Sequence, residues 1–164
     1  MDKKQPDERL SWDDYFMNIA HAVAARSTCD RGKVGCVLVK GKRILSTGYA
    51  GSPVGLPHCD EAGHLMKTVY DKEGNASQHC VRTTHAEMNA IVQAARFGIA
   101  IDGATIYCKM EPCLDCCKAI INAGIKHVVC EKKYHAAETT RLFFKDAGVE
   151  LAVLNDEVEK YEKQ

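Results

Sequence analysis

The sequence predicts an α/β fold, a sheet with parallel pairs and helices on both faces. Two observations predict it. From residue 84 onward helical and strand-like segments alternate, which is the pattern of strands joined by helical crossovers. Before that, an amphipathic helical stretch leads into two β-rich runs separated by a short Gly-containing turn. With 164 residues the chain can bury a full core, and residues 1–164 read as one domain, its core over about 10–154 and a charged tail over 155–164. Lys plus Arg and Asp plus Glu both number 22, so no general attraction to nucleic acid is expected. Residues Met1 to Arg9 contain no apolar h-region, and no apolar run approaches a membrane span, so a cytoplasmic protein without membrane attachment is expected.

Each element has its own signal. Trp12, Tyr15, Phe16, Ile19, Ala20 and Val23 recur at helical spacing over Trp12 to Arg26, with Ser11 as N-cap. Val34 to Val39 and Ile44 to Thr47 read as strands joined in a hairpin across Lys40-Gly41-Lys42. Tyr49 to Thr84 lacks clear periodicity and reads as a long functional loop that carries Cys59, His64, His79 and Cys80. Thr83 or Thr84 then caps a helix from His85 to about Phe97, stopped by Gly98. Thr105 to Lys109 reads as a strand and Cys113 to Asn122 as a helix closed by Gly124. Lys126 to Cys130 reads as a strand, Ala136 to Ala147 as a helix closed by Gly148, and Val149 to Leu154 as a strand. The tail from Asn155 is expected to form an extra helix or to fray.

Nine cysteines without an export signal favour metal ligation over a disulfide framework. Two motifs give this a shape. His85-Ala86-Glu87 and Pro112-Cys113-Leu114-Asp115-Cys116 together supply one nitrogen and two sulfur ligands, each at the start of an expected helix. A catalytic zinc takes three protein ligands and keeps one position open for water. Glu87, beside that position and off the metal, is the expected proton carrier. H-x-E…P-C-x-x-C is the pattern of zinc-dependent nucleobase deaminases, in which hydroxide attacks C4 of a cytosine or C6 of an adenine. The plainer alternative is a structural zinc knuckle with an unrelated His-x-Glu, which would leave the carboxylate without use. Cys36, Cys108, Cys117 and Cys130 read as buried packing thiols. Cys29, Cys59, His64 and Cys80, with His79 as the alternative, read either as a second zinc clip for the long loop or as scattered side chains.

Further motifs carry a resemblance. Arg26-Ser27-Thr28-Cys29 leads to Val34-Gly35-Cys36-Val37. Ile44 to Tyr49 leads to Gly51-Ser52-Pro53. His79-Cys80-Val81-Arg82-Thr83 leads into His85 to Ile91. Over residues 10 to 154 the chain resembles the cytidine/deoxycytidylate deaminase superfamily, and within it the bacterial and phage-type dCMP deaminases. That resemblance implies a three-layer α/β/α cytidine-deaminase-like fold with a five-stranded mixed sheet. It implies conversion of dCMP and water to dUMP and ammonia in pyrimidine deoxynucleotide metabolism. One catalytic Zn2+ and a second, structural Zn2+ on Cys29, Cys59, His64 and Cys80 are implied. So is a homohexamer with dCTP and dTTP as allosteric effectors.

The resemblance also suggests Arg26, Arg31 and Lys33 for the substrate phosphate, Tyr134 for stacking near the base, and Arg96 for effector or subunit contact. Asn89 is expected to be structural, and His58 solvated. Two departures stand out. Ala50 replaces the loop asparagine that contacts the nucleotide, which opens the alternative of another cytosine nucleotide or nucleoside. Glu111 stands where smaller or neutral residues are commoner, and is expected to face solvent or to pair with Lys109. A zinc-stabilised nucleotide-binding protein without activity is the remaining alternative, and the intact Glu87 argues against it.

Overall fold

The computed structural model describes residues 9–71 and 73–159. Helix α1 (Trp12–Ala24) begins where its cap is expected, with Ser11 Oγ accepting from Asp14 N at 3.0 Å. Strands β1 (Gly35–Lys40) and β2 (Arg43–Tyr49) pair antiparallel. Gly41 and Lys42 both take positive φ, 55° and 62°, which a two-residue hairpin turn requires if it is to follow the twist of its strands.

The segment expected to be an irregular loop is partly ordered. It contains the one-turn helix α2 (Cys59–Ala62) and the hairpin of β3 (Met66–Tyr70) and β4 (Ala76–Cys80). All five residues of β3 are exposed, so neither strand face meets a core and no hydrophobic alternation marks it. Its turn is local chemistry: Asp71 Oδ1 accepts from Glu73 N and Asn75 N.

Helix α3 (Ala86–Arg96) has His85 itself as N-cap, not Thr83 or Thr84. Strand β5 (Thr105–Met110) and helix α4 (Leu114–Asn122), capped by Cys113, follow. Strand β6 (His127–Tyr134), helix α5 (Glu138–Asp146) and strand β7 (Glu150–Val153) complete the alternation. Strand β6 runs four residues past the expected end because the tail supports it. Residues 158–159 form the short strand β8, which pairs in parallel with Lys133 and Tyr134. The described tail is thus an irregular stretch over 155–157 followed by β8, without a helix, and residues 160–164 lie outside the described residues.

The main sheet is ordered β2-β1-β5-β6-β7, with β5-β6-β7 parallel and β1 antiparallel to both neighbours. Successive residues of β1 point to opposite faces. Val37 and Val39 pack with Phe16, Met17 and Ala20 of α1, while Cys36 and Leu38 pack with Ala86 and Ala90 of α3 and Ile120 of α4. The result is the expected α/β/α arrangement around a five-stranded mixed sheet. Gly48 brings β2 against α3 backbone to backbone: a Cβ there would lie 2.1 Å from Ala86 O and 2.4 Å from Ala90 N. Ser46 Oγ donates to Ala90 O at 2.9 Å, so the same strand fixes α3 by contact and by hydrogen bond. Among the described residues, no helix is long and apolar enough to cross a membrane.

Candidate metal centres and the cavity between them

Strand β5 ends at Met110 and α4 starts at Leu114, so Glu111-Pro112-Cys113 is a tight turn beyond the carboxyl end of a strand. Open α/β sheets place their ligand sites there. The N-terminus of α3 comes to the same place. Thr84 N donates to Gly51 O at 2.9 Å, and Asn89 Nδ2 donates to Tyr49 O at 2.8 Å, fastening the chain before and after His85 to the end of β2. Asn89 thus has the structural place expected of it.

His85 Nδ1 lies 3.4 Å from Cys113 Sγ and 3.5 Å from Cys116 Sγ. A tetrahedral zinc with Zn–N of 2.0–2.1 Å and Zn–S of 2.3 Å holds its nitrogen and sulfur ligands about 3.5 Å apart. The three donors therefore fit that ion in spacing as well as in kind. Hydrogen bonds from Cys116 and then from His85 bring the Cys113 thiol down to about 4, and the Cys113 sulfur in turn raises His85 to about 9. The shared hydrogen bond with Cys113, and then burial, push the Cys116 thiol the other way, so of the two sulfurs it is Cys113 that ionises first, at helix N-termini whose partial positive charge favours it.

Glu87 is 5% exposed. Burial, followed by the charge of the nearby Cys108 sulfur, raises its carboxyl to about 8. It shares with His85 and Cys113 the wall of a cavity of about 690 Å³. The β3–β4 hairpin forms the facing wall through Lys67, Val69 and Gln78, which sequence reasoning missed. A signal was available: two short runs flanking Asp71 to Asn75, whose Asp and Gly mark a turn.

Cys29, Cys59, His64 and Cys80 form a second cluster, their ligand atoms all within 4.8 Å of one another. Cys59 and Cys80 sulfurs are 3.6 Å apart, and Cys29 Sγ is 3.7 Å from His64 Nδ1, again spacings that suit a tetrahedral zinc. Burial works to raise the Cys80 thiol, but hydrogen bonds from the Thr83 hydroxyl and the Arg82 backbone bring it down to about 6. His79 stands apart, its Nε2 2.9 Å from Ser77 Oγ. His64 is thus the nitrogen that geometry brings to the cluster. Cys29 and Cys80 also line the cavity, so the two centres share a wall.

The remaining candidates divide. Tyr134, the last residue of β6, lines the cavity. Arg31 lines it too, and its guanidinium donates to Gln78 O at 2.8 Å. Arg26 is exposed and off the cavity wall, and exposed Lys33 borders a smaller annex of about 200 Å³ with Arg31 and Lys109. Arg96 is exposed at the end of α3, with its guanidinium 5.9 Å from the Phe97 ring. Ala50 lines the cavity.

Two expectations are corrected. His58 is half-buried, its Nδ1 2.9 Å from Thr28 Oγ1 and accepting from Ser52 N at 3.3 Å, because it caps α2 inside the folded loop. Glu111 neither faces solvent nor pairs with Lys109. It is buried and bonded to Arg141, while Lys109 Nζ donates to Lys33 O.

Residues 10–132 match the family described as the cytidine and deoxycytidylate deaminase zinc-binding region. The chain is 46% identical over 142 residues to ComE operon protein 2 of Bacillus subtilis, an alignment covering 87% of this chain and 70% of that protein. It is 40% identical over 143 residues to the deoxycytidylate deaminase of Schizosaccharomyces pombe, covering 87% of this chain and 44% of that protein, so it spans less than half of that relative's length. The crystal structure of the dCMP deaminase of cyanophage S-TIM5 in complex with dCMP and dUMP superposes with a TM-score of 0.68 at 30% identity, covering 85% of this chain and 94% of that one.

Proposed function

The chain belongs to the cytidine and deoxycytidylate deaminase family, and from that membership we propose that it is a zinc-dependent hydrolase converting dCMP and water to dUMP and ammonia. One observation carries the reading. Three ligand atoms at tetrahedral spacing stand at the mouths of two helices, with a buried carboxylate two residues along one of them.

His85 Nδ1 and the sulfurs of Cys113 and Cys116 are the residues that would hold the catalytic zinc. When bound, zinc supplies the Lewis acidity that makes a water nucleophilic near neutral pH. The chain's own residues do the rest. A Glu87 carboxylate oxygen takes the water proton, gives it to the ring nitrogen of the base, and carries a second proton to the departing ammonia. Burial raises the proton affinity of Glu87, which suits a group that must both take and give. The hairpin and the segment after α1 wall two sides of the cavity, and Tyr134 offers a ring face for the base. Arg31 and Lys67, on the cavity wall, supply the cationic donors a phosphate needs. Lys33 stands one cavity further out, and the position of Arg26 off the wall speaks against a phosphate role.

A second zinc on Cys29, Cys59, His64 and Cys80 is part of the same reading, supported by the donor set and its spacing. It would anchor the hairpin wall to the segment after α1. The reading extends to a cytoplasmic homohexamer answering to dCTP and dTTP. Its support is the resemblance over residues 10 to 154 and the exposed place of Arg96.

The test is ammonia release from dCMP, CMP, deoxycytidine and dCTP by the zinc-loaded chain. Turnover of dCMP above the others is expected. Glu87→Gln is expected to keep its zinc and to lose about 10²–10⁴-fold in rate. No ammonia from any of the four with zinc bound overturns the assignment.

A further inference from the structure

Glu111 is the residue whose surroundings differ most from expectation, and nothing in the reaction as described uses it. Its side chain is 0% exposed. Both carboxylate oxygens are engaged: Oε1 accepts from Arg141 Nε at 2.8 Å, and Oε2 accepts from Arg141 Nη2 at 2.6 Å and from Tyr134 N at 2.8 Å. Glu111 N donates to Lys132 O at 3.1 Å. A two-pronged guanidinium-carboxylate pair fixes direction as well as distance, because both groups are planar and the donors are fixed in a fork.

The three segments so joined are those that bear the site. Glu111 is followed by Pro112 and then by Cys113, a ligand candidate and the cap of α4. Tyr134 is the cavity residue at the end of β6. Arg141 comes from α5, which makes no contact with the cavity through that side chain. A change at Arg141 would thus be felt at Cys113 and at Tyr134 through one buried carboxylate.

We propose that Arg141 is a positioning residue of the active site, acting through Glu111 to hold both the Cys113 ligand turn and the Tyr134 wall. This rests on the deaminase reading for its kinetic part only. The fork, not the charge alone, is what the geometry uses, so a lysine at the same place supplies one point donor and leaves Glu111 free to rotate.

The experiment uses the full zinc-loaded chain and three variants, Arg141→Ala, Arg141→Lys and the pair Glu111→Gln with Arg141→Met. The pair leaves a neutral amide whose oxygen can still accept from Tyr134 N, and so preserves folding if Arg141→Ala does not fold. Four quantities are read: the rate of zinc release to a chelator, KM and kcat for dCMP, and the melting temperature. Arg141→Ala and Arg141→Lys are both expected to release zinc at least tenfold faster and to raise KM for dCMP about tenfold. The pair is expected to recover melting temperature without recovering KM. A structural pair alone would lower the melting temperature and leave zinc release and KM at wild-type values, and that result overturns the proposal, as does full recovery of KM in Arg141→Lys. If the wild-type chain does not turn over dCMP, the deaminase reading fails while the zinc-release comparison still decides on the clamp.

Discussion

Asp30 Oδ1 lies 2.9 Å from His64 Nε2, on the side of the ring away from Cys29. A proton on Nε2 donated to that carboxylate would leave the Nδ1 lone pair on the side of the cysteines, the arrangement by which a carboxylate sets a metal-binding histidine. Asp30→Ala is expected to weaken the second centre by about 10–100-fold, the usual effect of removing such a partner. Dialysis against a moderate chelator should leave that variant with one zinc per chain and the wild type with the two proposed, with amide exchange in β3 and β4 accelerated in the variant. Equal zinc counts in both proteins would remove Asp30 from the centre.

Gly48 is expected to tolerate nothing larger. A Cβ there would overlap Ala86 O and Ala90 N, both backbone atoms of α3, so the helix must shift as a body. Overpacking of this kind costs about 1–3 kcal/mol. Because His85 and Glu87 ride on the same helix end, Gly48→Ala should lower the melting temperature and the specific activity together. An active variant of wild-type stability would show that α3 is less tightly held than the contact implies.

Ala50 leaves room in the cavity wall while its backbone is fully used, its N donating to Val34 O and its O accepting from Thr28 N. Ala50→Asn should therefore keep the fold and add one donor facing the substrate. A net hydrogen bond is worth about 0.5–1.5 kcal/mol, so KM for dCMP is expected to fall about two- to tenfold. An unchanged KM would mean that another side chain already makes the contact, or that the preferred substrate is a different nucleotide.

Stability should decline at high pH through Tyr107. Burial, and then the hydrogen bond from its hydroxyl to Asp13 Oδ1 at 2.9 Å, raise this phenol well above its usual value of about 10. The sign follows from proton counting. Below pH 10 the phenol is protonated in both states and its contribution is complete. Above pH 10 the unfolded chain loses the proton first, so the native state holds more protons and stability falls as pH rises. Tyr107→Phe should show a shallower loss of melting temperature between pH 9.5 and 11 (a range set about the usual value). Parallel curves for the two proteins would contradict this.

Most of the main sheet was legible because its signals are local. Ser11 caps α1, glycines at 98, 124 and 148 end three helices with φ of 65° to 75°, and alternation sets the strands of the second half. The hairpin β3–β4 was not legible in the same way. Neither of its faces is buried against the core, so the period-two signal that marks a strand never entered the sequence. The short β8 was hidden for a related reason, since a two-residue strand is defined by its partner, β6, and hardly at all by its own composition.

Read alone, the sequence supplied the donor set on which the proposed reaction rests. H-x-E and P-C-x-x-C name their candidate ligands because metal chemistry demands particular atoms, and their positions at helix starts follow from local signals. Tertiary structure alone decided which further side chains stand beside that set. It chose His64 over His79, turned His58 inward, put Arg31 and not Arg26 on the cavity wall, and paired Glu111 with Arg141 across 30 residues of chain. The physical reason is range. A cap, a turn or a ligand spacing is set within a few residues, whereas the partner of a buried charge is whichever group the packing of distant elements brings within hydrogen-bond reach.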